Sequence, residues 1–386
     1  MTSPVNRGRI LYFTRHGNLA PSTRYRIAQI VPHLERLGFE VEVQHFAPGA
    51  LYHTYISPGR LMRKLAIFPI LAVRLFLRLV RAGSYDLVVV HKDLFPYGPL
   101  LFEHLLFRIN PAVVYELDDA VFLKSPMLRH CYNKLRKHDK AEFLMAGSRA
   151  VIAGNAYIAE HVSRFNPRVQ IVPTVVDLSR YNCMKLHEDR RRVVVGWAGT
   201  RGNLSNFDIV REALVTIQAE VPEMVLEIFS DDNLAIPGVN VVNRAWTLES
   251  EIEGLLNFDI GIMPLFDDPW TRGKCGFKII QYMAVGLPTV CSPVGANREI
   301  VMHGKEGFFA ETPDEWRGRL GELIRNWRLR ADMGRQARGS IEQQYTVEAV
   351  LPTLVGVFEE EIGRNGRRHP MLKGAPERRN FGISRS

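Results

Sequence analysis

The chain has 386 residues and a formal net charge of +9, and with 46% hydrophobic and 24% charged residues it is long enough for two globular domains with separate cores. Its four cysteines are widely spaced and form no Cys-x-x-Cys or Cys/His cluster, which excludes a disulfide framework and a zinc finger and favours a reducing, cytoplasmic setting. The positive charge predicts an anionic partner, either a nucleotide, an acidic lipid or a nucleic acid.

The first 46 residues read as strand, loop, helix and strand, which is typical of a doubly wound α/β domain. Ligands of such domains bind beyond the carboxyl end of the first strand, where Gly17 is the one glycine of the loop. The fingerprint Gly-x-Gly-x-x-Gly is missing, so a nicotinamide enzyme is not favoured. Arg15, Arg24 and Arg26 either face an anionic donor or acceptor or are solvated surface groups.

Residues 60–81 mix long apolar side chains with arginines and a lysine and contain no acidic residue. The basic positions, among them Arg63, Lys64 and Arg74, recur at steps of three and four along a predicted helix. Such a helix either lies in the surface of an anionic membrane or packs on the core with its arginines reaching solvent. Pro69 predicts a kink or two shorter helices. No uninterrupted apolar run reaches transmembrane length, and the first residues lack the apolar core of a signal peptide.

Asp118 and Asp119 follow a predicted apolar strand, at the edge of a parallel sheet where ligands bind. Two adjacent carboxylates repel when both are buried and ionised, so at least one is expected to be solvated, hydrogen-bonded or paired with a cation. Asp118 therefore contacts a substrate, or the pair forms a solvated turn. An acidic pair also raises the alternative of a metal site, but no Asp-x-Asp triplet stands at a strand end, and we predict no metal.

The second half repeats the opening, with a β-type run up to Gly199, a small-residue loop and a helix. Small residues in the loop, such as Thr200 and Asn203, let backbone amides approach a phosphate, and Arg201 can donate two hydrogen bonds to it. A polar, basic stretch at 181–192 precedes this run and is the predicted interdomain linker.

The stretch 270–304 carries a basic loop, a predicted helix from Phe277 and a stop at Gly286. Lys274 and Lys278 lie where the helix begins, and unpaired backbone N–H groups at a helix start carry partial positive charge. The combination is a site for a diphosphate, or else a solvated basic loop.

This stretch resembles the C-terminal signature of nucleotide-sugar glycosyltransferases of the GT-B fold, family-4 type. That family usually carries two glutamates separated by seven residues, and here Gly273 and Gln281 stand in their places. The resemblance runs in order over residues 8–362. It implies an α/β protein of GT-B architecture, in which two Rossmann-like doubly wound domains face each other across a cleft.

The resemblance also divides the chain. The expected units are an acceptor-side domain over 1–180, the linker over 181–192, a nucleotide-sugar-binding domain over 193–348, a helix over 349–363 that returns to the first domain, and a basic tail over 364–386. The tail is rich in glycine, arginine and proline, and we expect it to be disordered.

The resemblance assigns three groups of site residues. Asp118, Lys274 and Lys278 are the expected catalytic residues, with Asp118 in the place of a histidine that lies near the donor sugar. The expected donor-binding residues are Gly17, Gly199, Thr200, Arg201, Asn203, Arg244, Phe277, Gln281, Gly295 and Glu299, of which Glu299 either contacts the donor or braces its loop. The expected acceptor-facing or membrane-facing residues are Arg15, Arg24, Arg26, Arg63, Lys64 and Arg74.

The function implied is transfer of a sugar from a nucleotide-diphosphate-sugar to an acceptor hydroxyl on a glycan or lipid-linked glycan, in cell-surface polysaccharide synthesis. We expect retention of configuration, no metal and no cofactor, and a cytoplasmic protein peripheral on the inner face of the plasma membrane. Two alternatives stay open: a catalytically silent sugar-nucleotide or glycan-binding partner of a membrane assembly, and a sugar-nucleotide epimerase of the same fold. A nucleic-acid-binding protein lacks any recognition motif here.

Overall fold

A computed structural model describes residues 6–17, 20–47, 61–95, 99–123 and 139–366, with the backbone alone at 61–65 and 366. Two six-stranded parallel sheets organise these residues. The first sheet has the order β2-β1-β3-β4-β5-β6 and comprises β1 (Gly8–Thr14), β2 (Phe39–His45), β3 (Leu87–His91), β4 (Val113–Leu117), β5 (Ala150–Ala153) and β6 (Val169–Ile171). The second has the order β12-β11-β10-β7-β8-β9 and comprises β7 (Val194–Gly199), β8 (Val225–Ser230), β9 (Val241–Ala245), β10 (Ile260–Met263), β11 (Thr289–Cys291) and β12 (Gly307–Phe309).

Helices cover both faces of the sheets, so central strands such as β3 and β4 are buried along their whole length. The first half contains α1 (Pro21–Thr23), a π-helical turn (Arg24–Ala28), α2 (Val31–Arg36), α3 (Leu61–Arg81), a 3-10 turn (Ala82–Ser84), α4 (Leu101–Ile109), α5 (Asp139–Gly147) and α6 (Ala156–Ser163). The second half contains a 3-10 segment (Arg201–Ile209), α7 (Arg211–Glu220), α8 (Glu251–Leu256), α9 (Pro269–Arg272), α10 (Phe277–Ala284), α11 (Asn297–Ile300), α12 (Pro313–Arg325), α13 (Trp327–Gln344) and α14 (Val347–Gly366). The predicted α/β class with two doubly wound sheets is confirmed.

Each sheet reverses its strand order once, between β1 and β3 in the first sheet and between β7 and β10 in the second. Helices diverge from such a switch point and leave a crevice at the carboxyl ends of the strands. The residues that follow β1, β3 and β4 and those that follow β7 and β10 therefore border two crevices, which meet between the sheets.

Helix α3 runs without a break from Leu61 to Arg81, with Pro69 inside it. Of the two alternatives predicted for Pro69, a kink or two shorter helices, the second is wrong. Pro69 lacks a backbone N–H, so the helix loses one hydrogen bond there. The helix continues because Leu71, Leu75 and Leu79 pack one face of it in the core. No helix among the described residues is both long and apolar enough to cross a membrane.

Helix α14 follows the second domain in sequence but packs on the first sheet. Its side chains Val350, Leu354 and Phe358 share one buried cluster with Ile10 and Tyr12 of β1. Between β6 and β7 the chain forms no helix or strand. The helix continues to Gly366, three residues past the end expected for it, and residues 367–386 of the expected tail lie outside the described part of the chain.

Candidate active site

Two cavities lie side by side between the sheets and share the wall formed by Pro21, Tyr25, Asn203 and Lys278. The Asp118 cavity, of about 260 Å³, is bordered by Asp118, Asp119, Lys274 and the start of α10. The Glu251 cavity, of about 320 Å³, is bordered by Gly199, Thr200, Phe229, Trp246, Glu251 and Gln281. Both domains therefore contribute to each cavity.

Helix α10 begins at the shared wall because Gly276 adopts a left-handed conformation, with φ of 62°, and ends the preceding loop. No described side chain caps this end of the helix, and Gly276, Phe277 and Lys278 line the Asp118 cavity. The Lys278 ammonium lies 4.3 Å from the centre of the Trp197 ring. A Cβ atom on Gly199 would come within 2.6 Å of Lys278 Nζ, so glycine at the end of β7 leaves the space that the lysine occupies.

Lys274 stands beside Lys278 and donates a hydrogen bond to the Asn203 side chain. Burial lowers the pKa of Lys274, although Asp119 and Asp268 oppose the change. Burial, and then the charge of Lys274, hold the pKa of Lys278 well below its ordinary value. The positive charges of two half-buried lysines side by side repel each other and are largely removed from water, so an anion that binds between them is stabilised.

Arg201 lies further out. Its side chain is exposed and its backbone amide donates to Asp231 at 2.7 Å. It borders a third, more open cavity of about 650 Å³, together with Thr200, Asn203 and Lys274. The structure thus brings Lys274 and Lys278 together and places Arg201 on the solvent side of Lys274.

Lys92 neutralises the acidic pair at the end of β4. Its ammonium lies 2.9 Å from Asp118 Oδ1 and 2.6 Å from Asp119 Oδ2, and His91 Nε2 lies 3.2 Å from Asp118 Oδ1. Burial favours protonation of Asp118, but the charges of Lys92 and His91 outweigh it and hold the pKa of Asp118 far below its ordinary value. Asp118 is therefore an ionised hydrogen-bond acceptor and a weak base.

Gly273, which stands in the place of the first expected glutamate, packs closely against the first domain. A Cβ atom there would lie 2.4 Å from the Cβ atom of Ala120 in the first domain. The same loop accepts a hydrogen bond from Asn155 to the Lys274 carbonyl at 3.0 Å, and Cys275 Sγ donates to the Asp118 carbonyl at 3.0 Å. The absence of a side chain at Gly273 permits this close approach of the two domains.

Gln281 faces a group of hydroxyls and one carboxylate. Its Nε2 donates to Tyr181 Oη at 2.8 Å, and the Tyr25 hydroxyl bonds Glu251. Burial, and then the Glu251 charge, raise the pKa of Tyr25 well above its ordinary value, so its hydroxyl stays protonated and donates. The ring of Phe277 packs on Tyr25 with a centroid distance of 4.0 Å.

Four predicted donor-binding residues line none of these three cavities. Arg244 lies on the edge strand β9, 3.1 Å from the Glu227 carboxylate, and Glu299 is exposed, with its carbonyl accepting a hydrogen bond from Tyr345 at 3.3 Å. Gly295, with φ of 52°, lets its loop pack against the backbone of Arg272 behind the site. The Gly17 carbonyl accepts a hydrogen bond from the Ala20 amide at 2.9 Å, and Pro21 and Ser22 line the Asp118 cavity instead.

The predicted acceptor-facing arginines separate into different roles. Arg26 is buried and pairs with Glu116 at 2.8 Å, so it stabilises the first domain and faces no acceptor. Arg24 is buried against the Trp246 ring and lines the Glu251 cavity. Arg15 pairs with Asp93 at 2.9 Å. Arg74 is exposed on α3, whereas the side chains of Arg63 and Lys64 lie outside the described part of the chain.

The sequence reading missed Lys92, Tyr25, Tyr181 and Glu251. A signal existed for Lys92, since it follows β3 while the acidic pair follows the adjacent parallel strand β4. The other three come from distant positions, and their local sequences carry no pattern that distinguishes them. Within the described ranges, no group of three His, Cys, Asp or Glu side chains is placed to hold a metal ion.

Two doubly wound parallel sheets, with a cationic helix start facing an acidic strand end across a cleft, define the GT-B architecture. The fold agrees with solved structures: Anabaena HepE in complex with UDP and glucose (TM-score 0.62, 17% identity, covering 92% of this chain and 100% of that one), and sucrose-phosphate synthase from Thermosynechococcus elongatus (TM-score 0.68, 14% identity, 92% and 99%).

Residues 192–326 match the family model described as Glycosyl transferases group 1. Spore coat protein SA of Bacillus subtilis is 23% identical over 292 residues, which covers 65% of this chain and 75% of that protein. The predicted resemblance is confirmed: the chain has the GT-B fold, and its second domain matches a glycosyltransferase family model.

Proposed function

We propose that the protein transfers a sugar from a nucleotide-diphosphate-sugar to an acceptor hydroxyl, with the diphosphate bound where the Asp118 and Glu251 cavities meet. One observation carries the proposal: Lys278 and Asn203 belong to both cavities, and Lys274 and the uncapped start of α10 adjoin them. This point of contact supplies charge and amide dipoles for an anion, with a separate space on either side of it.

The two spaces differ in character. The Glu251 cavity has aromatic walls at Trp246 and Phe229, which suit a nucleoside. The Asp118 cavity carries the charged side chains of Asp118, Asp119 and Lys274, and the ionised Asp118 can accept a hydrogen bond from a sugar hydroxyl. Anabaena HepE, whose fold is similar, was solved in complex with UDP and glucose, which supports a nucleotide-sugar as the donor proposed here.

The proposed mechanism needs no metal and retains the configuration of the sugar. As the bond between sugar and diphosphate breaks, negative charge grows on the leaving oxygen, and Lys274, Lys278 and the α10 amides stabilise it. In a front-face reaction the departing phosphate accepts the proton of the acceptor hydroxyl. A dedicated base is then unnecessary, which suits a site whose carboxylate at Asp118 is a weak base and whose Gly273 carries no side chain.

We propose further that the acceptor is a glycan or lipid-linked glycan and that α3 docks on an anionic membrane surface. Five large apolar side chains of α3 are 48–60% exposed: Ile70, Val73, Phe76, Leu77 and Val80. Arg74 and Arg81 stand among them, and the helix contains no acidic residue. An exposed apolar stripe with cations suits the interface of an acidic bilayer. Flotation with anionic and with neutral vesicles tests this docking, and binding to the anionic ones is expected.

Isothermal titration of the full chain with UDP, GDP and ADP tests the donor site. At least one nucleoside diphosphate is expected to bind, and Lys278→Ala weakens that binding about tenfold or more because a charge-assisted contact is lost. Lys305→Ala, which removes an exposed lysine away from the site, is the matched control and keeps wild-type affinity. Equal affinities of Lys278→Ala and the control would contradict the proposal.

An assay of donor consumption distinguishes a transferase from the two alternatives, a catalytically silent partner and an epimerase. Incubation with the sugar nucleotide of the bound base is expected to consume it only when an acceptor glycan is added. Binding without consumption would instead show a silent partner, and conversion of the donor without an acceptor would show an epimerase.

A further inference from the structure

A buried carboxylate and two tyrosine hydroxyls meet on the wall of the Glu251 cavity. Tyr25 Oη lies 2.5 and 2.6 Å from the two oxygens of Glu251, and Tyr181 Oη lies 3.2 Å from Oε1. The Glu251 side chain is 4% exposed, and guanidinium nitrogens of Arg180 and Arg24 approach it to 3.7 and 4.0 Å. A burial this deep stabilises an ionised carboxylate only if its acceptor positions are filled.

An ionised carboxylate offers about four acceptor positions, whereas each tyrosine hydroxyl carries a single proton to donate. Glu251, which lines the cavity, therefore keeps acceptor capacity beyond the hydrogen bonds of these two hydroxyls. The group that suits this capacity is a pair of neighbouring hydroxyls, each donating one hydrogen bond.

The residues that line the cavity with Glu251 indicate the chemical class of the ligand. Aromatic side chains at Trp246 and Phe229 form one part of the lining, and Lys278 with Gly199 forms the part that adjoins the Asp118 cavity. A ligand with a flat ring, a diol and an anionic group would find a matching partner among these lining residues. A ribonucleoside diphosphate combines these three groups.

We propose that Glu251 accepts hydrogen bonds from the 2′- and 3′-hydroxyls of the donor's ribose. The inference rests on the proposed donor site and adds a residue to it. Gln281, whose amide donates to Tyr181, then acts as a positioning residue that holds the tyrosine against the carboxylate. Tyr25 belongs to the first domain and Glu251 to the second, so the ribose would bind at a contact that joins the two domains.

The experiment compares ribose with deoxyribose in the full-length protein. Calorimetry measures the affinity of the tightest binder among UDP, GDP and ADP and of its 2′-deoxy and 3′-deoxy forms, for the wild type and for Glu251→Gln. The wild type is expected to bind each deoxy form about tenfold or more weakly, because a hydrogen bond to a charged acceptor is lost. In Glu251→Gln the ribo form weakens and the difference between ribo and deoxy forms shrinks.

Glu253→Gln removes the same charge from an exposed position of α8 and is expected to keep the full ribo preference. Should Glu251→Gln fail to fold, Glu251→Asp keeps the charge but withdraws it by one methylene and is expected to lose the preference too. Equal wild-type affinity for ribo and deoxy forms, or an unchanged preference in the Glu251 variants, overturns this inference alone. Failure of every nucleoside diphosphate to bind overturns the donor site as well.

Discussion

Lys278 shows how single residues prepare the site for an anion. Its amino group is confined between the Trp197 ring and the backbone of Gly199, and Lys274 stands beside it. Burial and the like charge disfavour protonation, and no carboxylate of the described residues offsets them in the way that Asp118 offsets the burial of Lys92. Protonation of Lys278 is therefore costly in the free protein, and a bound diphosphate removes that cost.

A pH dependence of nucleotide affinity follows from this environment. The pKa of Lys278 lies well below the ordinary lysine value of 10.5 in the free protein, and a bound diphosphate raises it. Binding between these two pKa values takes up a proton, so affinity falls as the pH rises through that range. Calorimetry in two mildly alkaline buffers of different ionisation enthalpy measures the proton uptake.

Lys278→Arg is the control for this proton uptake, because a guanidinium stays charged at every pH used. The variant is expected to take up fewer protons on binding than the wild type, whatever its affinity. Equal uptake in the two proteins would show that another group titrates and would refute the assignment to Lys278.

Site residues could be predicted from the sequence where the neighbouring residues alone indicate both their charge and their place in the fold. Lys274 and Lys278 precede and open a helix with a recognisable apolar pattern, and the structure places both at the cleft. Glu251 could not be found in this way, because its partners Tyr25 and Tyr181 are supplied by the first domain and by the segment between the domains. Arg26 was wrongly predicted to face an acceptor, because its buried partner Glu116 lies 90 residues away in the sequence.

Helix α3 has two apolar faces, of which one is buried and the other is exposed. Leu71, Leu75 and Leu79 recur every four residues and are buried, whereas Val73 and Leu77 are each 60% exposed. The periodicity alone predicted a helix but could not assign its second face, since a core-packed and a membrane-docked helix share one pattern. Within the described part of the chain, the Leu71 side of α3 is buried and the Val73 side is exposed.

Polar substitutions on the exposed face of α3 test membrane docking without disturbing the buried face. The double variant Val73→Ser/Leu77→Ser is expected to lower binding to anionic vesicles about tenfold or more, since two side chains no longer bury apolar area in the bilayer interface. Met302→Ser, at a residue 56% exposed in the second domain, is expected to change nothing. Vesicle cosedimentation measures both. Equal loss in the two variants would contradict docking through α3.

The whole molecule is held together by segments that cross between the domains. The loop before α10 packs on the end of β4, where Gly273 approaches Ala120, and α14 returns to the first sheet. The two doubly wound sheets were predictable because short apolar runs alternate in the sequence with segments of helical spacing. The closeness of the domains was not, since it depends on contacts such as Gly273 with Ala120, which join positions far apart in the chain.

Helix α14 stabilises the first domain although the second domain leads into it. Phe358 is fully buried, and its ring lies 6.3 Å from that of Tyr12 on β1. Phe358→Ala is expected to cost about 3–5 kcal/mol of unfolding free energy, because the cavity it leaves lies inside a packed core. Hydrogen exchange should then accelerate in β1 and β3 more than in β7 and β10, whereas Thr353→Ala, exposed on the same helix, leaves both sheets protected. Equal acceleration in the two sheets would show that α14 belongs to both domains as one cooperative unit.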